Sequence, residues 1–288
     1  MRRGWAWMLA LLLCLSGGAA GRAEEPKPQR VAALSGSFAE IWMLAGGTLT
    51  CATQDAWDER GLALDESVIN VGSLKQPSAE LLLQAEIDLA LLTPTLEGQK
   101  ALGQTLTDAG VRTEFFELET FGDYLAMLKR CTKLTGHPEA YETYGAAVQA
   151  QVDAAIARCA DQPSPTVLLI RAYSTGAKAK NSRNNMTGAM LKDLGCVNIA
   201  DQNESLLEDL SLEAILTADP DFIFVTTMGA DDAALAKLAE TLQASPAWAS
   251  LTAVKQGCYH VLPKELFHYK PNARWGESYD LLAGLLYD

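Results

Sequence analysis

Short apolar runs alternate along this chain with longer stretches in which apolar residues recur every three or four positions, the two signatures of strand and helix. In the first half, runs at 30–34, 68–71, 88–92 and 112–118 predict strands, and 38–45, 79–85, 96–109 and 124–134 predict helices. In the second half, strands are expected at 166–172 and 258–262, with helices at 186–194, 232–243 and 275–287. Gly46-Gly47, Gly110 and Gly195 stand where helices should stop, a place that favours a residue free to turn left-handed. Alternating strands and helices argue for mostly parallel sheets with helices on both faces, an α/β fold.

One part of the pattern occurs twice. Residues 78–93 align without a gap to 211–226, sharing a serine (Ser78, Ser211), a glutamate (Glu80, Glu213), an aliphatic pair, an alanine, an aspartate (Asp88, Asp221) and a closing threonine. Each copy reads as a serine-capped helix with a glutamate in its first turn, running into an apolar strand. Two copies predict two similar Rossmann-like lobes with a ligand cleft between them, outside the carboxyl ends of the strands. A long helical pattern at 139–158 lies between the copies, opened by Pro138 and barred from continuing by Pro163 and Pro165. About 20 helical residues span about 30 Å, enough to cross from one lobe to the other. The expected organisation is a first lobe at 30–135, a linking helix at 136–162 and a second lobe at 163–288.

The amino terminus is different in kind. Arg2 and Arg3 precede an apolar run at 5–15 and a small-residue stretch at 16–23, the zones of a secretory signal peptide, here residues 1–23. Residues 24–29 read as a polar tether. Cys14 raises the option of a lipid anchor, but Leu13 occupies the place where lipoprotein signals carry a small residue, so free secretion to the periplasm or cell surface is the expectation. Loss of 1–23 removes Arg2, Arg3 and Arg22 and takes the formal charge from -13 to -16. Such an acidic chain is poorly suited to nucleic acid or anionic lipid. Cys51, Cys131, Cys159, Cys196 and Cys258 are widely spaced with no CxxC pair, so they read as small core residues or as partners whose pairing stays open.

The echoed helices, the linking helix behind a secretion signal, and the closing segment Leu262-Pro-Lys-Glu-Leu-Phe-His-Tyr-Lys-Pro-Asn-Ala-Arg-Trp275 together resemble the substrate-binding proteins of ABC importers for iron-siderophore, haem and cobalamin. The resemblance spans nearly all of the mature chain. It implies a monomeric, non-enzymatic binding protein that captures a metal chelate, foremost a ferric siderophore with haem or a cobamide as runner-up, and delivers it to a permease dimer. It also implies that Glu80 and Glu213, one per lobe, dock on that permease. No resident cofactor or metal is implied.

Candidate ligand contacts lie in the loops after strands. In the first lobe these are Ser35, Ser37, Lys75 and Thr95; in the second, Tyr173, Lys178, Lys180, Arg183, Met228, Phe267, His268, Tyr269, Lys270, Arg274 and Trp275. Cations gathered in the loops of an acidic chain suit an anionic ligand, and Arg183 and Arg274 can grip carboxylates or catecholates in pairs. Phe267, Tyr269 and Trp275 either lay a face on a planar chelate or anchor the last helix, and His268 or Tyr269 could reach haem iron. Three scattered histidines do not make a zinc or manganese cage. GxGxxG, GxxxxGK[ST], GxSxG and HExxH are all absent, leaving a two-lobed glycosyltransferase-like enzyme as the alternative from another class.

Overall fold

The computed structural model describes residues 25–288. Residues 1–23, expected to be a signal peptide, and with them Cys14, lie outside the described residues. Two parallel sheets, each covered by helices, form two lobes. The first sheet runs in the order Ile69–Asn70, Cys51–Ala52, Val31–Ala33, Leu89–Leu92, Arg112–Phe115. The second runs Val197–Asn198, Thr166–Tyr173, Phe222–Thr227, Tyr259–Val261. In each lobe the first strand in sequence lies inside the sheet: Val31–Ala33 between Cys51–Ala52 and Leu89–Leu92, and Thr166–Tyr173 between Val197–Asn198 and Phe222–Thr227, with Arg112–Phe115 and Tyr259–Val261 outside Leu89–Leu92 and Phe222–Thr227. The first lobe adds one further strand at its edge.

The echo is carried down to single atoms. Ser78 and Ser211 each accept a hydrogen bond from a backbone N–H three residues on, at 3.3 and 3.4 Å, the N-cap geometry that satisfies an orphan donor. Leu82 and Ile215, at matching places, are completely buried. Glu86 and Asp219 match as well, and both take a left-handed backbone at φ 49° and 39° to leave the helix. Asp88 accepts from the Gln29 and Arg30 amides at 2.7 and 3.1 Å, and Asp221 accepts from the Thr166 amide and hydroxyl at 2.7 Å. The shared aspartate therefore ties the echoed strand to the entry of the central strand in both lobes.

Between the lobes, helix Phe121–Thr135 opens on a capping box from Thr120 and Asp123 and ends at Gly136 in the left-handed conformation. After Pro138 the chain is helical from Glu139 through Cys159, with one wider turn at Glu142–Ala146. This helix packs along the final helix, Trp275–Tyr287, where Gly276 lets the Gln151 side chain approach to 2.2 Å of the place a Cβ would occupy. The largest core joins both lobes through these helices and includes Phe38, Trp42, Tyr124, Val152, Phe224, Phe267 and Trp275. Among the described residues no helix is long and apolar enough to cross a membrane.

Several elements differ from the pattern-based expectation. Cys51–Ala52 and Val197–Asn198 are strands of two residues each, too short to leave a periodic signal. The segment 173–185, expected as a loop, contains the strand Gly176–Lys180, which folds back antiparallel on Thr166–Tyr173. At the amino end of the described chain, Glu25 is gripped by Arg130 at 2.7 and 2.9 Å and by Arg112 at 2.6 Å, so the segment lies on the first lobe.

Candidate functional site

Loops from the carboxyl ends of both sheets face one another. On the first-lobe side Ser35, Ser37, Leu74, Thr93, Thr95 and Glu119 line a cavity of about 200 Å³ that Lys270 closes from the second lobe. Lys270 reaches across to Glu119 at 2.9 Å. Gln99, fully buried, holds this wall together. Its amide nitrogen donates to the carbonyls of Leu34 (2.6 Å) and Leu74 (2.9 Å), and its oxygen accepts from the Thr93 amide (2.9 Å). One side chain thus fixes the loops that carry Ser35 and Ser37, Lys75, and Thr95. Its sequence signal was weak, since glutamine on a helix flank is ordinarily solvated.

The second-lobe wall is cationic. Arg171 and Lys178 are cross-strand partners in the hairpin, and Lys180 follows on the same face. Burial, then the charges of Arg171 and Lys178, pulls the Lys180 ammonium below its ordinary pKa. His268, which ends the short helix Lys264–Phe267, lies within the field of Arg171. Burial, reinforced by the positive fields of Arg171, Lys264 and Lys270, holds its imidazole neutral with a pKa down at about 4. Arg171 Nε and His268 Nδ1 are both buried without a hydrogen-bond partner in the protein, a costly arrangement for polar groups. Arg171 is absent from the sequence-derived candidates. Its signal was a lone charge at the end of the apolar run Val167-Leu-Leu-Ile-Arg-Ala172.

Other candidates fall elsewhere. Phe267 is fully buried and Trp275 nearly so, at 0% and 1% exposure; Trp275 packs on Phe121 at 5.5 Å and Tyr279 at 6.4 Å. Both are packing anchors for the last helix and offer no face to a ligand, which corrects the ligand-platform expectation for these two. Arg274 is engaged by Glu277 through two hydrogen bonds of 2.6 and 2.7 Å, and Arg183 pairs at the surface with Glu204 at 3.2 Å. The two arginines favoured from sequence thus each stand beside a carboxylate, as Lys270 stands beside Glu119. Lys75, Lys178 and Met228 are exposed, and Tyr173 and Tyr269 are half-buried. Burial, then Glu59, raises the Tyr269 phenol above its usual pKa.

Among the described residues the cysteines and acids gather into no alternative centre. Cys51, Cys131, Cys159 and Cys196 are buried free thiols and Cys258 is half-buried; burial pushes Cys51 up to about 11 and Cys196 up to about 12, so neither is a ready nucleophile. Among the described residues no three His, Cys, Asp or Glu side chains gather as a metal cage. Glu80 and Glu213 stand exposed on their echoed helices. Leu81 and Leu83 are exposed beside Glu80, and Glu213 borders a surface hollow of about 400 Å³ with Ser211 and Thr217.

Two α/β lobes on a helical backbone present facing loops, with a cavity between them. The family model of periplasmic binding proteins matches residues 31–266, and the chain belongs to that family. A comparison with curated proteins returns no match. Among solved structures, an ABC transporter substrate-binding protein from Listeria monocytogenes is similar over 91% of this chain and 99% of its own, at 19% identity and a TM-score of 0.73. A periplasmic haem-binding protein from Pseudomonas aeruginosa is 25% identical over 90% of this chain and 93% of its own, with a TM-score of 0.71. A periplasmic haem-binding protein from Vibrio cholerae is 18% identical over 90% and 99%, with a TM-score of 0.70.

Proposed function

We propose that this protein is the extracytoplasmic binding component of an ABC importer, and that it captures an anionic metal chelate and passes it to the permease. What supports the reading is that the charges of Arg171, Lys264 and Lys270 bear on a neutral His268, that Lys178 is the cross-strand partner of Arg171 and that Lys270 borders the cavity between the lobes, in a chain of net charge -13. An acidic protein gains nothing from overall steering toward an anion, so local cations must supply the attraction. A ferric siderophore with carboxylate or catecholate donors needs only those cations. Haem needs an axial donor as well, and a specific observation favours it: the rings of His268 and Tyr269 lie 5.4 Å apart, next in the chain to Lys270, which borders the cavity, and the imidazole is neutral, as metal ligation requires. The haem-binding proteins among the structural neighbours support the same reading.

Fluorescence titration of the mature protein with haemin, ferric catecholate and carboxylate chelates, and cobalamin tests both forms. Saturable quenching by the ferric chelates alone selects the siderophore form. Haemin binding with a Soret shift lost in His268→Ala or Tyr269→Phe selects the haem form. Binding of cobalamin alone, or of nothing, overturns the anionic chelate. On this reading the protein binds and releases without chemistry, so no turnover of sugar nucleotides is expected.

Glu80 and Glu213 are proposed to dock on the two permease subunits, supported by their matched exposed places and by the apolar surface beside Glu80. A carboxylate in a helix's first turn is held by the helix dipole while facing water. Glu80→Ala and Glu213→Ala should leave ligand affinity unchanged and weaken uptake, the double variant most; lost ligand binding in the purified single variants counts against docking.

A further inference from the structure

We propose that Arg60, on the first lobe, is a positioning residue for the second lobe's ligand loop and acts with Glu40 and Asn272 as a latch across the base of the cleft. The inference deepens the reading above and rests on it for the function of that loop. Arg60 follows the short helix Asp55–Asp58 and its side chain is only 10% exposed. It forms an ion pair with Glu40 of helix Gly36–Leu44, and its Nη1 donates to the Lys270 carbonyl at 2.7 Å. One guanidinium thus joins a first-lobe carboxylate to second-lobe backbone. Burial pulls it down to about 10, still charged at neutral pH.

Asn272 completes the link from the other side. It is fully buried, takes a left-handed backbone at φ 51°, and its amide donates to the Ser37 carbonyl at 3.1 Å and to Glu40 Oε2 at 2.8 Å. Glu40 is therefore shared by Arg60 and Asn272, and the loop that runs from His268 to Asn272 is held against the helix Gly36–Leu44 that carries both Ser37 and Glu40. Gly36 is part of the design: a Cβ there would lie 2.7 Å from Arg60 Cγ and 2.8 and 2.9 Å from the Asp55 and Ala56 backbone, so only glycine lets the arginine pass beneath the first-lobe loop. A buried arginine is tolerated when paired and hydrogen-bonded, and its planar fork can serve a carboxylate and a carbonyl together where lysine offers a single point charge. The latch thus adds to the linking helix, the shared core and the Lys270–Glu119 pair in joining the lobes, and the loop holding His268 and Tyr269 is in position before ligand arrives, which lowers the ordering cost of binding.

Hydrogen exchange on ligand-free mature protein, followed in the peptide 267–274 and in strand Phe222–Thr227 as reference, tests the latch. Arg60→Lys and Arg60→Ala should speed exchange in the loop about tenfold and leave the strand unchanged, and the Kd for haemin or a ferric tris-catecholate, whichever the parent binds, should rise about tenfold. The double variant Glu40→Gln/Arg60→Met removes both charges together and guards against unfolding caused by an unpaired buried carboxylate; it should show the same fast loop. Unchanged loop exchange, acceleration spread equally to the strand, or fast loop exchange with unaltered affinity each overturns the proposal. If the parent binds neither probe the chelate reading fails, and the exchange result alone decides the latch.

Discussion

The two lobes share their framework and differ in what they show the cleft. Both contain a serine-capped helix, a left-handed exit and an aspartate that ties two strands. Yet the first lobe carries hydroxyls and backbone on loops held by Gln99, whereas the second, on the proposed reading, offers Arg171, Lys178, Lys180 and His268. The shared features secure strand order, which any such lobe needs. The differing features lie in loops after strands, where a change of side chain leaves the sheet intact. The comparison assigns shape and rigidity to the first wall and charge to the second.

The sharpest way to break that division is Gln99→Leu. It strands two carbonyls and one amide in a dry site, so unfolding free energy should fall by about 3 to 5 kcal/mol in urea titration; a loss below about 1 kcal/mol would mean that water replaces the amide and that the first wall is not held as described. Next comes Arg171→Ala. Losing a charged hydrogen bond to ligand should cost about 1.5 to 3 kcal/mol, roughly 10-fold to 150-fold in Kd, while Ser37→Ala or Thr95→Ala should cost only about 2-fold to 5-fold. Equal losses on both sides would erase the contrast.

His268 sharpens the comparison through pH. Its folded pKa is depressed to about 4 from an ordinary value near 6.5, so between these values the unfolded chain takes up a proton that the native ring refuses. Stability should therefore decline as pH falls from about 6.5 to about 4 and this component should level off below. The slope is at most about 1.4 kcal/mol per pH unit, reduced by the water that reaches the half-buried ring. Urea midpoints at several pH values should show a shallower decline in His268→Gln; an identical decline would remove His268 as its source. The smallest effect is expected at Arg274. Its partner Glu277 is exposed, so Arg274→Ala should cost about 0.5 kcal/mol of stability and leave chelate affinity unchanged; a tenfold affinity loss would return Arg274 to the cleft.

Much of this molecule was legible along the chain. The echo at 78–93 and 211–226 announced two related lobes because strand and helix periodicities are local, and so are caps such as Ser78 and Ser211. The long pattern after Pro138 announced the helix between them. The strands Cys51–Ala52 and Val197–Asn198 left no mark, because two residues cannot display a period. The hairpin strand Gly176–Lys180 was hidden by its lysines and glycine, since its stability comes from pairing with Thr166–Tyr173.

For the site, sequence supplied candidate loops after strands and several cations within them. Tertiary structure decided which of those residues are free. Arg274 and Arg183 have carboxylates beside them, Phe267 and Trp275 belong to the core, and Arg171, Gln99 and Arg60 take up roles that depend on partners up to 210 residues away. Periodicity records how a residue sits in its own helix or strand. Who neutralises a charge or fills a hydrogen bond is set by residues distant in sequence, and only the packed fold brings them together.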